Sequence, residues 1–247
     1  MSRLEAFAVR GVPEVRPGDD LGALLAAAGA AAGLRAGDVL VVAHKVVSKA
    51  EGAVVALAEV QPSPRAHVLG QRLGKDPRAV QVVLDQSIDV VRAERGVLIA
   101  RTPHGFVCAN AGVDASNAPA PDTLVCLPRD PDASARALRA ALPGCPAVVI
   151  SDSFGRAWRH GQVDVAIGIA GLAPLEDWRG RHDSVGRGLR ATWIAIADQA
   201  AGAADLVRAK DSREPAVVVR GLARHVTEDD GPGAAALVRP RDEDLFA

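Results

Sequence analysis

The sequence predicts a mixed α/β (α+β) protein, and three observations carry that expectation. Short apolar runs, Val39 to Val47, Ala147 to Ile150, Val163 to Ile169 and Ala216 to Val219, read as strands covered on both faces. Between them lie stretches that open on Asp or on Ser-Pro and Asp-Pro pairs, the signature of capped helices with Pro at the first helical position. The two kinds of segment interleave along the whole chain rather than segregating into halves. The 247 residues hold one unit spanning 1–247, with room for two lobes; no repeat, linker or low-complexity stretch marks a boundary.

The elements follow in order. Leu4 to Arg10 alternates as a strand, broken by Gly11-Val12-Pro13-Glu14. Asp20 caps a helix running to about Gly33. Val39 to Val47 is a nearly continuous apolar strand interrupted by His44-Lys45. Ser63-Pro64 and Asp76-Pro77 start helices over about 64–73 and 77–86. Asp89 to Arg92, Val97 to Arg101 and Gly105 to Cys108 are strands, the last two a hairpin across Pro103-His104-Gly105. Leu124 to Leu127 is a short strand. Asp130-Pro131 opens a helix to about Leu142, where Pro143-Gly144 stops it. Ala147 to Ile150 is a buried strand that ends near Asp152. Residues 176–190 form a charged loop, residues 190–208 a long helix, and Ala216 to Val219 a last strand before an acidic, Gly-rich tail.

Composition narrows the function. Net charge is −1, aromatics are 3 % and Tyr is absent. A nucleic-acid binder wants a basic excess and stacking rings, so that class is excluded. The longest uncharged apolar run, Leu21 to Leu34, is too short to span a bilayer, and no signal peptide is visible, so a cytoplasmic protein is expected. Cys108, Cys126 and Cys145 read as buried thiols in a reducing compartment. Trp158 and Trp178 read as packing residues.

Two dense stretches carry the chemistry, Cys108 to Asn117 and Asp152 to His160. Each offers an acid where a buried strand is expected to end, and ligands in α/β proteins favour strand ends. Hard oxygen donors such as Asp114 and Asp152 suit magnesium or manganese, above all where phosphates complete the shell. Ser153 adds a hydroxyl, and Asn117 can hydrogen-bond a nucleotide. The competing reading makes each Asp a turn or helix cap. Lys45 and Lys49 share a face in a strand or in a helix, which suits an anion or a plain solvated surface. Arg156, Arg159 and His160 form either a grip for a carboxylate or phosphate, or an exposed loop. No P-loop, dinucleotide fingerprint, nucleophile elbow or zinc spacing occurs.

These blocks also resemble a known family. Val41 to Gly52, Asn110 to Asn117, Asp152 to Arg156, Ala166 to Leu172, Asp177 to Gly180 and Pro215 to Leu222 are similar, in order, to the coenzyme F420-0:L-glutamate ligases. The resemblance spans about Phe7 to Leu222. It implies a GTP-dependent ligase adding L-glutamate by γ-linkage to the deazaflavin coenzyme F420-0, with magnesium or manganese, one or two ions per subunit. It implies a two-lobed fold particular to that family and an intertwined homodimer. Carried over by position, Gly11, Val12, Pro13 and Glu14 match a GTP-binding loop. Lys49 and Asn117 match GTP contacts, Asp114 and Asp152 match ligands of one metal, and Ser153 matches a Thr ligand of a second. His44 stands where the family has Ser or Thr at the nucleotide. Lys210 stands where some members place a metal-binding Glu, and a charged Lys there offsets phosphate instead. Asp114, Asp152 and Lys49 are the expected catalytic residues. A metal-dependent phosphohydrolase, a non-catalytic nucleotide-binding module and a ligase with a different acceptor are the alternatives.

Overall fold

The structure, a computed structural model, describes residues 3–244. Its centre is a five-stranded sheet of β1 (Glu5–Val9), β2 (Val39–Ala43), β8 (Ala147–Arg156), β9 (Arg159–Ala170) and β12 (Ala216–Arg220), in the order β1-β12-β2-β8-β9. Only β2 and β8 run parallel; the other pairs are antiparallel. Strands β12 and β2 and the first half of β8, 147–150, are almost uniformly Val, Leu, Ile and Ala and almost wholly buried, as strands covered on both faces must be.

Alternation along those strands divides the core in two. Leu40, Val42, Val148, Ile150 and Val218 face α1 (Leu21–Ala31) and α5 (Pro131–Ala141). Val39, Val41, Val149, Val217 and Val219 face α6 (Ile196–Val207). α5 lies so close on β9 that a Cβ at Gly168 would fall 2.3 Å from the Pro131 carbonyl oxygen, so only glycine fits there. Asp38, almost fully buried, accepts a two-point hydrogen bond from Arg220 at 2.8 Å for each arm, tying the start of β2 to the end of β12.

A third core is drawn from residues 57–126. There α3 (Pro64–Leu73) and α4 (Pro77–Asp85) pack against β4 (Asp89–Glu94), β5 (Val97–Arg101) and β6 (Val107–Ala109), beside the pair β3 (Val54–Ala56) and β7 (Thr123–Val125). The expected caps are all present: Asp20, Ser63, Asp76 and Asp130 each accept a hydrogen bond from a first-turn backbone N–H. The remaining pair, β10 (Leu175–Asp177) and β11 (Trp193–Ala195), brackets the charged loop.

The fold corrects five expectations. The strand expected over Val39 to Val47 stops at Ala43, and His44–Ala50 forms the helix α2; its Val46 and Val47 are buried from a helix, so the apolar run did not end with the strand. The strand expected to end near Asp152 continues to Arg156, because β9 pairs with it along its whole length. The helix expected from 190 starts at Ile196, after β11 has paired with β10. Trp158 is 80 % exposed at the β8–β9 tip and does not pack, and Cys145 is exposed in the turn after α5. Cys108 and Cys126 are buried as expected; burial pushes their thiols up to about 12 and about 11. Iodoacetamide at pH 8 is therefore expected to label the folded chain once, at Cys145, and intact-mass and peptide analysis checks it. Rapid labelling of Cys108 before unfolding would contradict its placement.

Candidate functional site

The short helix α2 organises the site, because successive residues of its first turn reach the two acids singled out above. The Lys45 ammonium donates to Asp114 Oδ2 at 2.5 Å, and His44 Nε2 lies 3.2 Å from Asp152 Oδ1. Side chains far apart in sequence thus meet at the junction of β2 and α2. Neither acid caps an α-helix, but Asp114 does cap a turn, its Oδ1 accepting the N–H of Ser116 two residues on, as the competing reading expects.

Asp114 is held on both its backbone and its side chain. Its N–H and C=O exchange hydrogen bonds of 3.0 and 2.8 Å with Val125, which fixes the backbone beside β7. Oδ1 accepts from the Ser116 N–H at 2.8 Å and Oδ2 from the Ser116 hydroxyl at 2.7 Å. Lys45 also donates to Ser116 Oγ. Burial works against the charge on Asp114, yet the Lys45 ammonium and the two Ser116 donors outweigh it and hold the carboxyl down at about 2. The approach to this acid is strained. Asn110, Ala111 and Gly112 all have φ between 52° and 74°, a left-handed turn that L-residues avoid. A Cβ at Gly112 would strike Leu127 at 2.6 Å, so that position is closed to other residues twice over.

Asp152 and Ser153 are neighbours on β8 and point to opposite faces, as extended residues do. Asp152 points to α2. The Ser153 hydroxyl donates to Asp164 Oδ1 at 2.6 Å and receives the Lys210 ammonium at 2.5 Å. Behind it, Asp164 Oδ2 accepts from Ser151 Oγ at 2.9 Å and from Arg208. Asp164 and Ser151 are buried almost completely. Asp164 and Arg208 were not singled out from sequence. The one sign of Asp164 in the chain is an acid inside an apolar run; its pairing with Ser153 across β8 and β9 and with Arg208 exists only in the fold.

Other expected residues fall as follows. Lys49 is 4 % exposed and pairs with Glu14 at 2.5 Å, so the Gly11-Val12-Pro13-Glu14 loop and α2 do meet. Asn117 follows the Asp114–Ser116 turn with φ of 55°. Lys75 reaches Asn110 Oδ1 at 3.4 Å. His44 is buried, with Nδ1 3.3 Å from Ser48 Oγ. Arg156, Arg159 and His160 are exposed in the β8–β9 hairpin, where Arg156 donates to the His160 carbonyl. Arg156 lies four extended residues beyond Asp152, about 13 Å along the strand. The structure therefore carries these three away from Asp152 and its α2 partner. The reason is the long hairpin, which carries them outward in place of the expected loop.

Among the described residues no three His, Cys, Asp or Glu side chains form a metal cage by themselves. The Asp114 and Asp152 carboxylates are hard oxygen donors of the kind magnesium and manganese take together with water and phosphate. On donor chemistry the residues fit such an ion. Among the same residues no helix is long and apolar enough to cross a membrane.

The fold is α+β, and acids, ammonium groups and hydroxyls meet where its central sheet joins α2. Comparison with known proteins makes the class specific. The model of the F420-0:gamma-glutamyl ligase family matches residues 11–221, and the chain belongs to that family. It is 46 % identical, over the full length of both chains, to the coenzyme F420:L-glutamate ligase of Methanopyrus kandleri. It is 43 % identical to the protein of the same name from Methanothermobacter thermautotrophicus, over 98 % of each chain. With that of Methanocaldococcus jannaschii it shares 40 % identity over 85 % of this chain and 84 % of the relative.

Proposed function

We propose that this protein is a GTP-dependent ligase that adds L-glutamate by γ-linkage to coenzyme F420-0, in the biosynthesis of coenzyme F420, working as a homodimer. Family membership and the names of its relatives support the ligase reading. The single structural observation that supports it is the double tie of α2, Lys45 to Asp114 and His44 to Asp152, which anchors one acid on each of two adjacent residues of that helix.

An amide does not form from a carboxylate in water without activation, because oxide is a poor leaving group. In this reading the acceptor carboxylate of F420-0 attacks the γ-phosphorus of GTP, and the bond to the β-γ bridging oxygen breaks, releasing GDP. The product is an acyl phosphate. The glutamate amine attacks its carbon, loses a proton, and inorganic phosphate departs. Phosphoryl transfer mainly needs alignment and charge neutralisation. Lys49, freed from Glu14 by a competing phosphate, supplies one positive charge, and Lys45 and Lys210 supply others. The loop Gly11 to Glu14 and Asn117 bind the nucleotide. Asp114 and Asp152 would hold a divalent magnesium or manganese ion, with Ser153 at a second. Bound there, such an ion supplies Lewis-acid charge on the phosphates. Arg156, Arg159 and His160, out on the hairpin, are left for carboxylates of a long substrate or for a second subunit.

The test is phosphate release from GTP with and without glutamate and F420-0, with products weighed by mass spectrometry. The ligase reading expects release only with both substrates, and a mass gain of one glutamyl residue. GTP cleavage without them would make the protein a phosphohydrolase, and binding without turnover a nucleotide-binding module. In the same assay Lys49→Ala is expected to weaken GTP binding about tenfold or more, the loss of one charge-assisted contact. An unchanged nucleotide titration would remove Lys49 from the site.

A further inference from the structure

His44 is a buried imidazole at the head of α2, with Nδ1 in a hydrogen bond and Nε2 facing a carboxylate without one. Nδ1 is 3.3 Å from the hydroxyl of Ser48, itself completely buried one turn on. Nε2 is 3.2 Å from Asp152 Oδ1, near enough to pair but off the line of a good hydrogen bond. No other partner meets Nε2 among the described residues. A ring nitrogen lone pair facing a carboxylate would repel it, so Nε2 carries a hydrogen whichever role Nδ1 takes toward Ser48. Asp152 Oδ1 also takes the Ser153 N–H at 2.8 Å. Both contacts fall on one oxygen, which leaves Oδ2 to face a ligand.

We propose that Ser48 and His44 form a relay that orients Asp152: the serine fixes the ring, the ring holds Oδ1, and Oδ2 is presented to a divalent cation. This rests on the reading of Asp152 as a metal-holding acid, and it gives His44 a positioning role in place of direct contact with the nucleotide. Outer partners of metal-holding groups fix their direction and are worth about 10–100-fold in metal affinity.

The experiment is titration of Mn2+ alone into the intact protein, followed by the electron paramagnetic resonance signal of free Mn2+. His44→Gln can put an amide N–H where Nε2 stands; His44→Asn, one methylene shorter, cannot; His44→Leu has no donor. The expected result is an affinity within about threefold of wild type for Gln, and a loss of about tenfold or more for Asn and Leu. Gln and Asn are both polar and smaller than His, so their comparison decides the matter even if Leu fails to fold. Asp152→Asn, run alongside, is expected to lose binding. Equal affinities for Gln and Asn would overturn the relay, as would a Leu variant that binds Mn2+ like wild type while Asp152→Asn does not. An Asp152→Asn protein that binds Mn2+ as tightly as wild type would instead overturn the underlying assignment of Asp152, and the relay with it.

Discussion

Asp114→Asn and Asp152→Asn are each expected to lower glutamate-dependent turnover by at least ~100-fold, about 2.7 kcal/mol of barrier or more. The substitution keeps the shape of the side chain and removes one negative charge. At Asp114 the new amide either turns its NH2 toward the Lys45 ammonium, donor against donor, or turns it toward the Ser116 N–H, with the same conflict. Lys45 loses its ionic partner and keeps only neutral acceptors such as the Ser116 hydroxyl. At Asp152 the loss falls beside His44, and the amide offers a cation one neutral oxygen where a carboxylate stood. Both variants should retain the wild-type melting temperature within a few degrees, since Asp114 is nearly half exposed and Asp152 lies at the margin of the core. The assay is initial rate at saturating Mg2+ or Mn2+, GTP, glutamate and F420-0, with the thermal melt as control. Either variant turning over within about threefold of wild type would take that residue out of the chemistry. The Asp114 carboxyl, held at about 2, is ionised at any pH where the protein is folded and assayed, so acid inhibition above pH 4 would have to arise at other groups.

Much of this site was legible in the chain, and the illegible part has a common cause. Caps are local: Asp130 followed by Pro131 announces α5 because the capping N–H is only three residues away. Asp114, Asp152, Lys45 and Lys49 stood out because charges crowd where apolar runs stop. What sequence could not give was pairing at long range. Trp193-Ile194-Ala195 reads as the start of a helix until Leu175–Asp177 pairs with it. Asp152 to Arg156 reads as a loop until β9 takes up its backbone groups. His44-Lys45 interrupts an apolar run in a way that fits a strand end or a helix start, and the contacts with Asp152 and Asp114 decide between them. Asp164 was passed over for the same reason. An acid within Val163 to Ile169 has no visible purpose until Arg208, 44 residues on, arrives beside it.

That pair sets the largest expected change in stability. Asp164 is 2 % exposed and Arg208 12 % at their side chains, and they join β9 to the end of α6, with Arg208 also donating to the Pro215 carbonyl at 3.2 Å and to Ser151 at 3.0 Å. A buried ion pair contributes little against an apolar replacement, yet removing one partner strands the other charge in a poorly solvated place. Asp164→Asn is therefore expected to cost about 3–5 kcal/mol. For a chain of this size that lowers the melting temperature by roughly 6–20 °C. Arg208→Met should cost a similar amount, because the carboxylate is then left with only the Ser151 and Ser153 hydroxyls. The double variant should be clearly more stable than the sum of the two losses predicts, since neither charge is then alone. Urea unfolding of the four proteins measures the coupling directly. Strict additivity would mean that the two side chains are not coupled in solution. A second consequence separates this pair from a purely structural one. Asp164 holds the Ser153 hydroxyl that Lys210 also contacts, so a variant protein that is still folded at the assay temperature should bind nucleotide more weakly while Asp114 and its partners are untouched. Unaltered nucleotide affinity in such a folded variant would confine Asp164 to the scaffold.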